Sequence, residues 1–586
     1  MWEGGNNTGL DFKQFLSRIN IIFTLVIICF IILLARLLYF QVIRGAYYHR
    51  IATENSTYLY IERAPRGIIY DINRNVLSFN KPFKKILFYP FVKKTKLSAN
   101  EINRIENLIP GSRQKLFMAY SSGTVTCLYD NVDRITLLKI LEIQHNLPGI
   151  SVETELRRFY PYDELASQLI GYIGEIDTNE LNNLFEKGYR QGDMIGKIGL
   201  EKKYNDYLHG KDGGVLIESD AFGKQLTILE KIEPVPGNDL YLTINRDLQA
   251  IAESELLKTG CAGAVVGIDP RNGAIRIMAS VPGYNPNLFV TMDDKRMEYM
   301  QDKKLPMYNR AIQAQFAPGS VFKIITSLSA LNENIITPEK TFYCPGYFKI
   351  GAKTFRCWEA KGHGTVNFLT GVTKSCDVYF YNIGLLTGVD NIMNYASEFG
   401  FGKYTGIDIP SERPGSIPTK EWREKKNLSW YNGDTVNIAI GQGYIDVTPL
   451  QLALMVSVMA NKGILWKPYV VAKITNKSGQ NIYFHKPEKS NTINNIRPEV
   501  WKLVEDALLN VVNTGTGYGA NVPGLEVAGK TGTAENPHGK THAWFSAYAP
   551  VKNPELAIAV LVQHGGKGGS VAAPIAKQIL MKAFMQ

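Results

Sequence analysis

Cysteine is scarce, with Cys29, Cys127, Cys261, Cys344, Cys357 and Cys376 the only six in 586 residues. That density excludes a disulfide framework as the source of stability. Internal repeats and low-complexity tracts are missing as well, which excludes a solenoid and wholesale disorder. The chain has no zinc-finger spacing, no RRM-like aromatic signature and no dense basic helix. Its 65 basic residues against 54 acidic ones, a net +11, are therefore not the footprint of a nucleic-acid-binding protein. Such a balance suits an anionic membrane surface or an anionic polymer, with most of the charge simply solvated. Long runs that are apolar as well as uncharged are absent too, with one exception near the N-terminus.

That exception places the chain. Residues 21–35 carry no charge, and continuing past Arg36 to Phe40 gives twenty residues, about 30 Å as a helix. Arg36 can snorkel to the interface and Tyr39 fits an aromatic belt. No A-x-A pattern follows, which predicts an uncleaved anchor. Lys13 and Arg18 permit an N-inside orientation, diluted by Arg44 and Arg50. The expectation is a short cytoplasmic segment (1–18), one transmembrane helix (19–40) and everything else on the outer, periplasmic side of a bacterial inner membrane.

The remaining length is too great for one core. The stretch "PVPGND" at 234–239 marks a boundary, predicting a mixed pedestal over 41–235 and a second domain over 236–586. In the pedestal, "TYLYIERAPRGIIYDINRNVLSF" reads as strands with a hairpin at 71–75, where Asn75 can take the left-handed turn position. Beyond the boundary, Asn245 caps a helix whose Leu248, Ala252 and Leu256 share one face. Then "AVVGIDPRNGAIRIMAS" reads as strand, turn and strand. Thr448, Pro449 and Gln451 announce another helix through a capping box. The second domain therefore reads as α+β, an antiparallel sheet packed with helices.

Within it, "FAPGSVFKIITSLSAL" places Ser320 three residues ahead of Lys323 at an apolar helix start. A serine needs a base to attack an acyl carbonyl, and residues i and i+3 of a helix share a face. The spacing also occurs in "PGSRQK" (Ser112, Lys115) and "SFNK" (Ser78, Lys81), so context must decide. Ser320 is followed by a buried-helix pattern that can bury Lys323, whereas Ser112 is followed by Arg113 and Gln114, a solvated turn. The triplet "KTG" is likewise duplicated: Lys258-Thr259-Gly260 closes a helix. Lys530-Thr531-Gly532, in "VAGKTGTAE", reads as a strand able to present Lys530, Thr531 and Thr533 to an extended peptide. Between them, "TKSCDVYFY" holds Ser375 and Asp377.

The ordered set Ser320-x-x-Lys323, Ser375-x-Asp377, Lys530-Thr531-Gly532 resembles that of class B penicillin-binding proteins, the monofunctional peptidoglycan transpeptidases. Flanking stretches extend the likeness over nearly the whole chain: "RAPRGIIYD", "GYIGEI", "GKIGLEKKYNDYLHGKDG", "GYNPN", "GQGYIDVTPLQLA" and "HAWFSAYAP". "MIGKIGLEKKY" and the "SCD" form are most similar to the elongation-type penicillin-binding protein 2 group. The resemblance implies a serine β-lactamase-like domain that crosslinks stem peptides ending in D-Ala-D-Ala during lateral wall elongation, and that β-lactams acylate. It implies Ser320 as nucleophile, Lys323 as general base, Ser375 as proton relay, Asp377 positioning Lys323, and Lys530 with Thr531, Gly532 and Thr533 binding substrate. The backbone N–H groups of Ser320 and Thr533 would form the oxyanion hole. Asp377 stands where the family usually has Asn, and a carboxylate cannot donate the amide's hydrogen bond to substrate. No cofactor is needed for this chemistry. With no acidic glycosyltransferase signature in the pedestal, the implied partners are a SEDS-type glycosyltransferase and other elongation-complex proteins. The residues leave open a division-type transpeptidase, a β-lactamase, a β-lactam sensor and a catalytically silent scaffold.

Cys344, Cys357, His363 and Cys376 fall within one stretch between the first two motifs. Three thiolates and an imidazole match a structural Cys3His zinc site. Without C-x-x-C spacing, they equally fit free buried thiols or an incidental disulfide. His538, His542 and His564, near the third motif, have no partners at useful spacing and read as surface residues rather than as groups that shape the acceptor side.

Overall fold

The computed structural model describes residues 9–48, 57–90, 97–219, 225–537 and 539–585. The uncharged run lies in one helix, Gly9–Leu38, that continues as a wider π-turn over Tyr39–Ile43. Within Phe15–Ile43 the mean hydropathy reaches 3.0, with none of that window buried, so this helix is long and apolar enough to cross a membrane. The Arg36 guanidinium sits 5.8 Å from the Phe40 ring, which leaves its charge at the helix end.

The chain divides into two compact units that cut across sequence order. One comprises Met1–Ala64, Phe83–Glu155 and Lys211–Val235. Its core gathers Ile86, Phe88, Ile105, Leu116, Leu128 and Ile140. A three-stranded antiparallel sheet also belongs to it, with Gly213–Ser219 between Thr57–Glu62 and Gln225–Ile232.

The other unit comprises Pro65–Pro82, Leu156–Gly210 and Pro236–Gln586. The expected hairpin at 71–75 is present, with one correction: the left-handed residue is Arg74 (φ 64°), not Asn75. The Asp71 carboxylate accepts from the backbone N–H of Asn73 and Asn75 and from the Asn75 amide. Asn75 is thus held as a donor, and the strained position passes to its neighbour. Nearby, Glu201 is fully buried and binds two arginines, Arg66 Nε at 2.7 Å and Arg158 Nε at 2.6 Å. Burial alone would raise this carboxyl, yet Arg158 and Arg66 outweigh it and hold it below its ordinary value.

The sheet that organises this unit has five antiparallel strands: β1 (Gly263–Ile268), β2 (Ile275–Val281), β3 (Ala528–Ala534), β4 (His542–Ala549) and β5 (Leu556–Val562), in the order β2-β1-β5-β4-β3. Along β5, Ala557, Ala559 and Leu561 join one hydrophobic cluster, while Ile558, Val560 and Val562 join another. Both faces are therefore buried, which explains why "LAIAVLV" is continuously apolar rather than alternating. Helix α1 (Arg246–Lys258), capped by Asn245 as expected, contributes Leu248, Ala252 and Leu256 to the second cluster. Three helices of the first cluster matter below: α2 (Lys323–Asn332), α3 (Asp377–Thr387) and α4 (Pro449–Asn461). The Thr448/Gln451 capping box opens α4. Helix α5 (Gly568–Phe584) packs on the second.

Removing one member of a buried ion pair strands the rest without counter-charge, at about 3–5 kcal/mol. Glu201→Gln is accordingly expected to lower the thermal midpoint by several degrees at pH 7. The carboxyl is depressed in the fold, so its contribution is present above its unfolded value of about 4.3 and lost as pH falls below it. The gap between variant and wild type should close in acid, as a pH series of melting curves would read.

Candidate active site

Ser320 stands on a tight 3-10 turn, Gly319–Phe322, that runs directly into α2 at Lys323. In such a turn residues i and i+3 eclipse, so the hydroxyl and the amine are stacked on one side. Two glycines let this turn press against β3. Gly319 has φ +56°, and a Cβ on it would lie 2.6 Å from the Thr533 carbonyl oxygen. A Cβ on Gly532 would lie 2.7 Å from the Pro318 carbonyl oxygen. The Trp544 indole, from β4, donates to the Ala317 carbonyl at 3.0 Å and ties the turn to the sheet.

Lys323 is 1 % exposed. Its Nζ donates to Asp377 Oδ1 at 2.7 Å, to the Ser375 carbonyl at 2.9 Å and to Ser375 Oγ at 3.3 Å. Ser375 reaches inward because its backbone is left-handed, φ 53°, just before α3. The second oxygen of Asp377 accepts from the Trp358 backbone N–H at 2.9 Å. Both carboxylate oxygens are thus committed to protein donors, and Asp377 also sits in the first turn of α3, where negative charge is favoured. From β3, the fully buried Lys530 donates to Ser375 Oγ at 2.8 Å and to the Thr531 carbonyl at 3.2 Å. Burial, and next the Lys323 ammonium, push Lys530 well below its ordinary value, with Asp377 opposing. One hydroxyl is thereby shared by two buried amines.

A cavity of about 530 Å³ is lined by Ser320, Ser375, Asp377, Thr531, Gly532 and Thr533. Thr531 Oγ1 is 2.8 Å from Thr516 Oγ1, and the Gln442 amide donates to the Thr533 carbonyl at 3.1 Å. Every residue of the three motifs is brought to one place. The decoys are not. Ser112 opens a helix, Ser112–Ser122, and is buried, contrary to the expected solvated turn, because its hydroxyl and the Arg113 N–H both bind Glu106. Lys115 turns away to the Leu128 carbonyl. Ser78 and Lys81 lie on the strand Val76–Phe88, where i and i+3 face opposite sides. Lys258 ends α1, as read.

Cys344, Cys357, His363 and Cys376 also converge, their ligand atoms all within 4.8 Å of one another. His363 Nδ1 lies 3.7 Å from Cys344 Sγ and 3.6 Å from Cys357 Sγ. For metal–sulfur bonds near 2.3 Å and metal–nitrogen bonds near 2.0 Å, the tetrahedron edge is about 3.6 Å. The thiols are free rather than disulfide-bonded. A hydrogen bond from Cys376 lowers Cys357 and raises Cys376 itself. Of the histidines, His542 is buried, not superficial: its ring lies 4.2 Å from Phe316 and it accepts from the His564 N–H at 3.1 Å. Burial and then His564 push it down to about 4. His564 is exposed, and His538 lies outside the described residues. Sequence reasoning missed Trp358, Thr516 and Gln442. Trp358 acts through its backbone, which leaves no signature, and Gln442 lies inside the quoted "GQGYIDVTPLQLA".

A sheet packed with helices, bearing a serine beside a buried lysine, a second serine on a turn and a lysine on the edge strand, defines a serine acyltransferase of the penicillin-binding kind. Residues 263–581 match the model of the penicillin-binding protein transpeptidase domain, and 61–242 that of the penicillin-binding protein dimerisation domain. The chain belongs to the penicillin-binding protein transpeptidase family. It is 34 % identical to the peptidoglycan D,D-transpeptidase MrdA of Acinetobacter baumannii, over 96 % of this chain and 87 % of that one. Penicillin-binding protein 2 of Helicobacter pylori, solved in complex with MreC, superposes with a TM-score of 0.75 at 28 % identity, covering 90 % of this chain and 99 % of that one. A chain from a peptidoglycan synthase complex that coordinates polymerization and crosslinking gives 0.73 at 27 % identity, covering 96 % and 98 %.

Lys530 is lowered in the fold, so near neutrality the unfolded chain holds more protons at this group, and stability rises with pH toward the unfolded value of about 10.4. Replacing it with methionine removes that penalty together with the hydrogen bond to Ser375 Oγ. Lys530→Met is expected to keep or raise the thermal midpoint at pH 7, by a margin that shrinks toward pH 10. Covalent labelling by a penicillin should slow by about a hundredfold or more.

Proposed function

We propose that this protein is a peptidoglycan D,D-transpeptidase of the elongation type, acting through an acyl-enzyme on Ser320. The observation that carries the reading is the hydrogen-bonded chain Lys323–Ser375–Lys530, whose Ser375 lines the same cavity as Ser320. With its own proton passed through Ser375 to Lys530, Lys323 takes the Ser320 proton as Oγ adds to the carbonyl of the penultimate D-alanine. The resulting oxyanion is held by the backbone N–H groups of Ser320 and Thr533, each such donor being worth about 3 kcal/mol. The C–N bond then breaks, and the departing D-alanine receives its proton through Ser375 from the lysine pair. An amine of a neighbouring stem attacks the ester, loses a proton along the same path, and releases Ser320. Lys530, Thr531 and Thr533 hold the donor's terminal carboxylate, with Gly532 keeping the strand close to the nucleophile. Asp377 has no donor to offer the substrate, and with each oxygen already accepting from the protein it acts by fixing Lys323.

In this reading 1–18 is cytoplasmic, 19–40 is the membrane anchor, 41–235 a pedestal and 236–586 the transpeptidase domain on the outer face of the inner membrane. The apolar N-terminal helix supports the anchor. Polymerisation falls to a SEDS-type glycosyltransferase, and elongation-complex proteins such as MreC are the expected contacts. The relatives' own assemblies support both. The Cys344, Cys357, His363 and Cys376 cluster is proposed to hold a structural zinc ion. Because Cys376 precedes Asp377 and Cys357 precedes Trp358, the metal would stiffen the two segments that meet at the Asp377 carboxylate.

A fluorescent penicillin should label the peptide containing Ser320 and persist. Ser320→Ala should carry no adduct, and Ser112→Ala should label like wild type. An adduct that vanishes within seconds would point to a β-lactamase instead, and no adduct on any serine to a scaffold. For the metal, purified protein should contain one zinc per chain. The triple Cys344→Ser, Cys357→Ser, Cys376→Ser variant should lose it and melt lower. Zinc-free protein that melts like the triple variant would sink the zinc reading.

A further inference from the structure

The cavity holds one carboxylate that the chemistry above does not use. Asp377 spends both oxygens on Lys323 and Trp358. Glu535, which lines the same cavity immediately beyond the end of β3, is exposed. Among the described residues nothing pairs with its carboxylate. It therefore lines the cavity without an ion-pair partner, in a wall that also carries Arg356 and Lys567.

Its place along β3 says which part of the substrate it meets. β3 is an edge strand, and among the described residues no strand pairs with its other side. An extended peptide can add there, stepping about 3.3 Å per residue. Taken with the proposed function, on which this inference rests, the donor's terminal carboxylate lies at the Lys530–Thr531 end and its reacting carbonyl at the Thr533 N–H. The donor's next residue toward its N-terminus then comes level with 534–535. Ala534 is buried and apolar, leaving Glu535 as the side chain that can read that residue.

Crosslinking joins stems of one polymer, so a stem acting as donor carries the same amine that its neighbour offers as acceptor. We propose that Glu535 is a donor-specificity residue: it pairs with a side-chain ammonium on the residue preceding the acylated D-alanine, so the enzyme selects donors whose own crosslinking amine is still free. A stem whose amine has already been consumed in a crosslink would be a poorer donor, which biases the enzyme toward fresh strands.

The test uses the full chain in detergent and two synthetic stem donors ending in a D-alanyl thioester. They are identical except that the side-chain amine of the residue before that D-alanine is free or acetylated. Thiol release gives kcat/KM for each. Wild type should prefer the free amine by about fivefold, the scale of a partly exposed ion pair. Glu535→Gln should bring the ratio near one, Glu535→Lys should invert it, and Glu424→Gln, on a separate surface, should leave it unchanged. Equal use of the two donors by wild type, no use of either, or an unaltered ratio in Glu535→Gln overturns the proposal. Penicillin labelling of Ser320 in the same preparation separates the two levels: an adduct keeps the transpeptidase reading standing whatever the ratio, and its absence overturns both.

Discussion

Two buried amines, Lys323 and Lys530, converge on the Ser375 hydroxyl with one carboxylate, Asp377, beside them. Like charges at this separation in a low-dielectric interior repel strongly, and the surrounding structure is arranged to tolerate that. The Asp377 carboxylate stands against Lys323 at 2.7 Å, while Lys530 is driven toward its neutral form by burial and by its neighbour. Two buried amines joined by a hydroxyl that can both donate and accept form a short proton path. Acyl transfer needs such a path twice, once to make the ester and once to break it.

Holding that path in place is the task of the five-stranded sheet. With both faces covered, β3 to β5 present almost no freedom to the edge where the chemistry lies. Gly532 and Gly319 let the turn that carries Ser320 approach β3 to backbone contact distance. A side chain at either would push Ser320 away from that strand. The energetic cost of burying two lysines is therefore met by packing elsewhere, in line with the general rule that sites give up stability for function.

The second motif is held from outside the sheet. Ser375 is left-handed, a conformation that needs enforcement in a residue other than glycine. Trp358 supplies some of it twice over, through its N–H to Asp377 and through its indole to the Lys374 carbonyl at 3.1 Å. The Cys and His cluster gathers around the same two segments. Replacing the family's usual amide by Asp377 fits this environment, since both of its oxygens meet donors.

What local chemistry dictates was legible in the residues themselves. The caps Asn245 and Thr448, the apolar N-terminal helix and β3 all follow from interactions within a few residues, and each is where the sequence puts it. Fine backbone choices were not: the left-handed position fell on Arg74 once Asp71 had engaged Asn75, and Ser112 became buried once Glu106 took its hydroxyl. His542 likewise left the surface for a contact with Phe316. The sequence by itself determined which residue types and spacings were candidates, down to the true and false copies of each motif. Only the tertiary structure decided that Ser375 meets Lys323 across 52 residues and Lys530 across 155, that four dispersed sulfur and nitrogen atoms come within 4.8 Å of one another, and that Glu535 lines the cavity with no partner among the described residues. Spacing along a chain encodes the partners a residue can reach within a turn or two, whereas these meetings depend on how whole elements pack, and no short pattern records that.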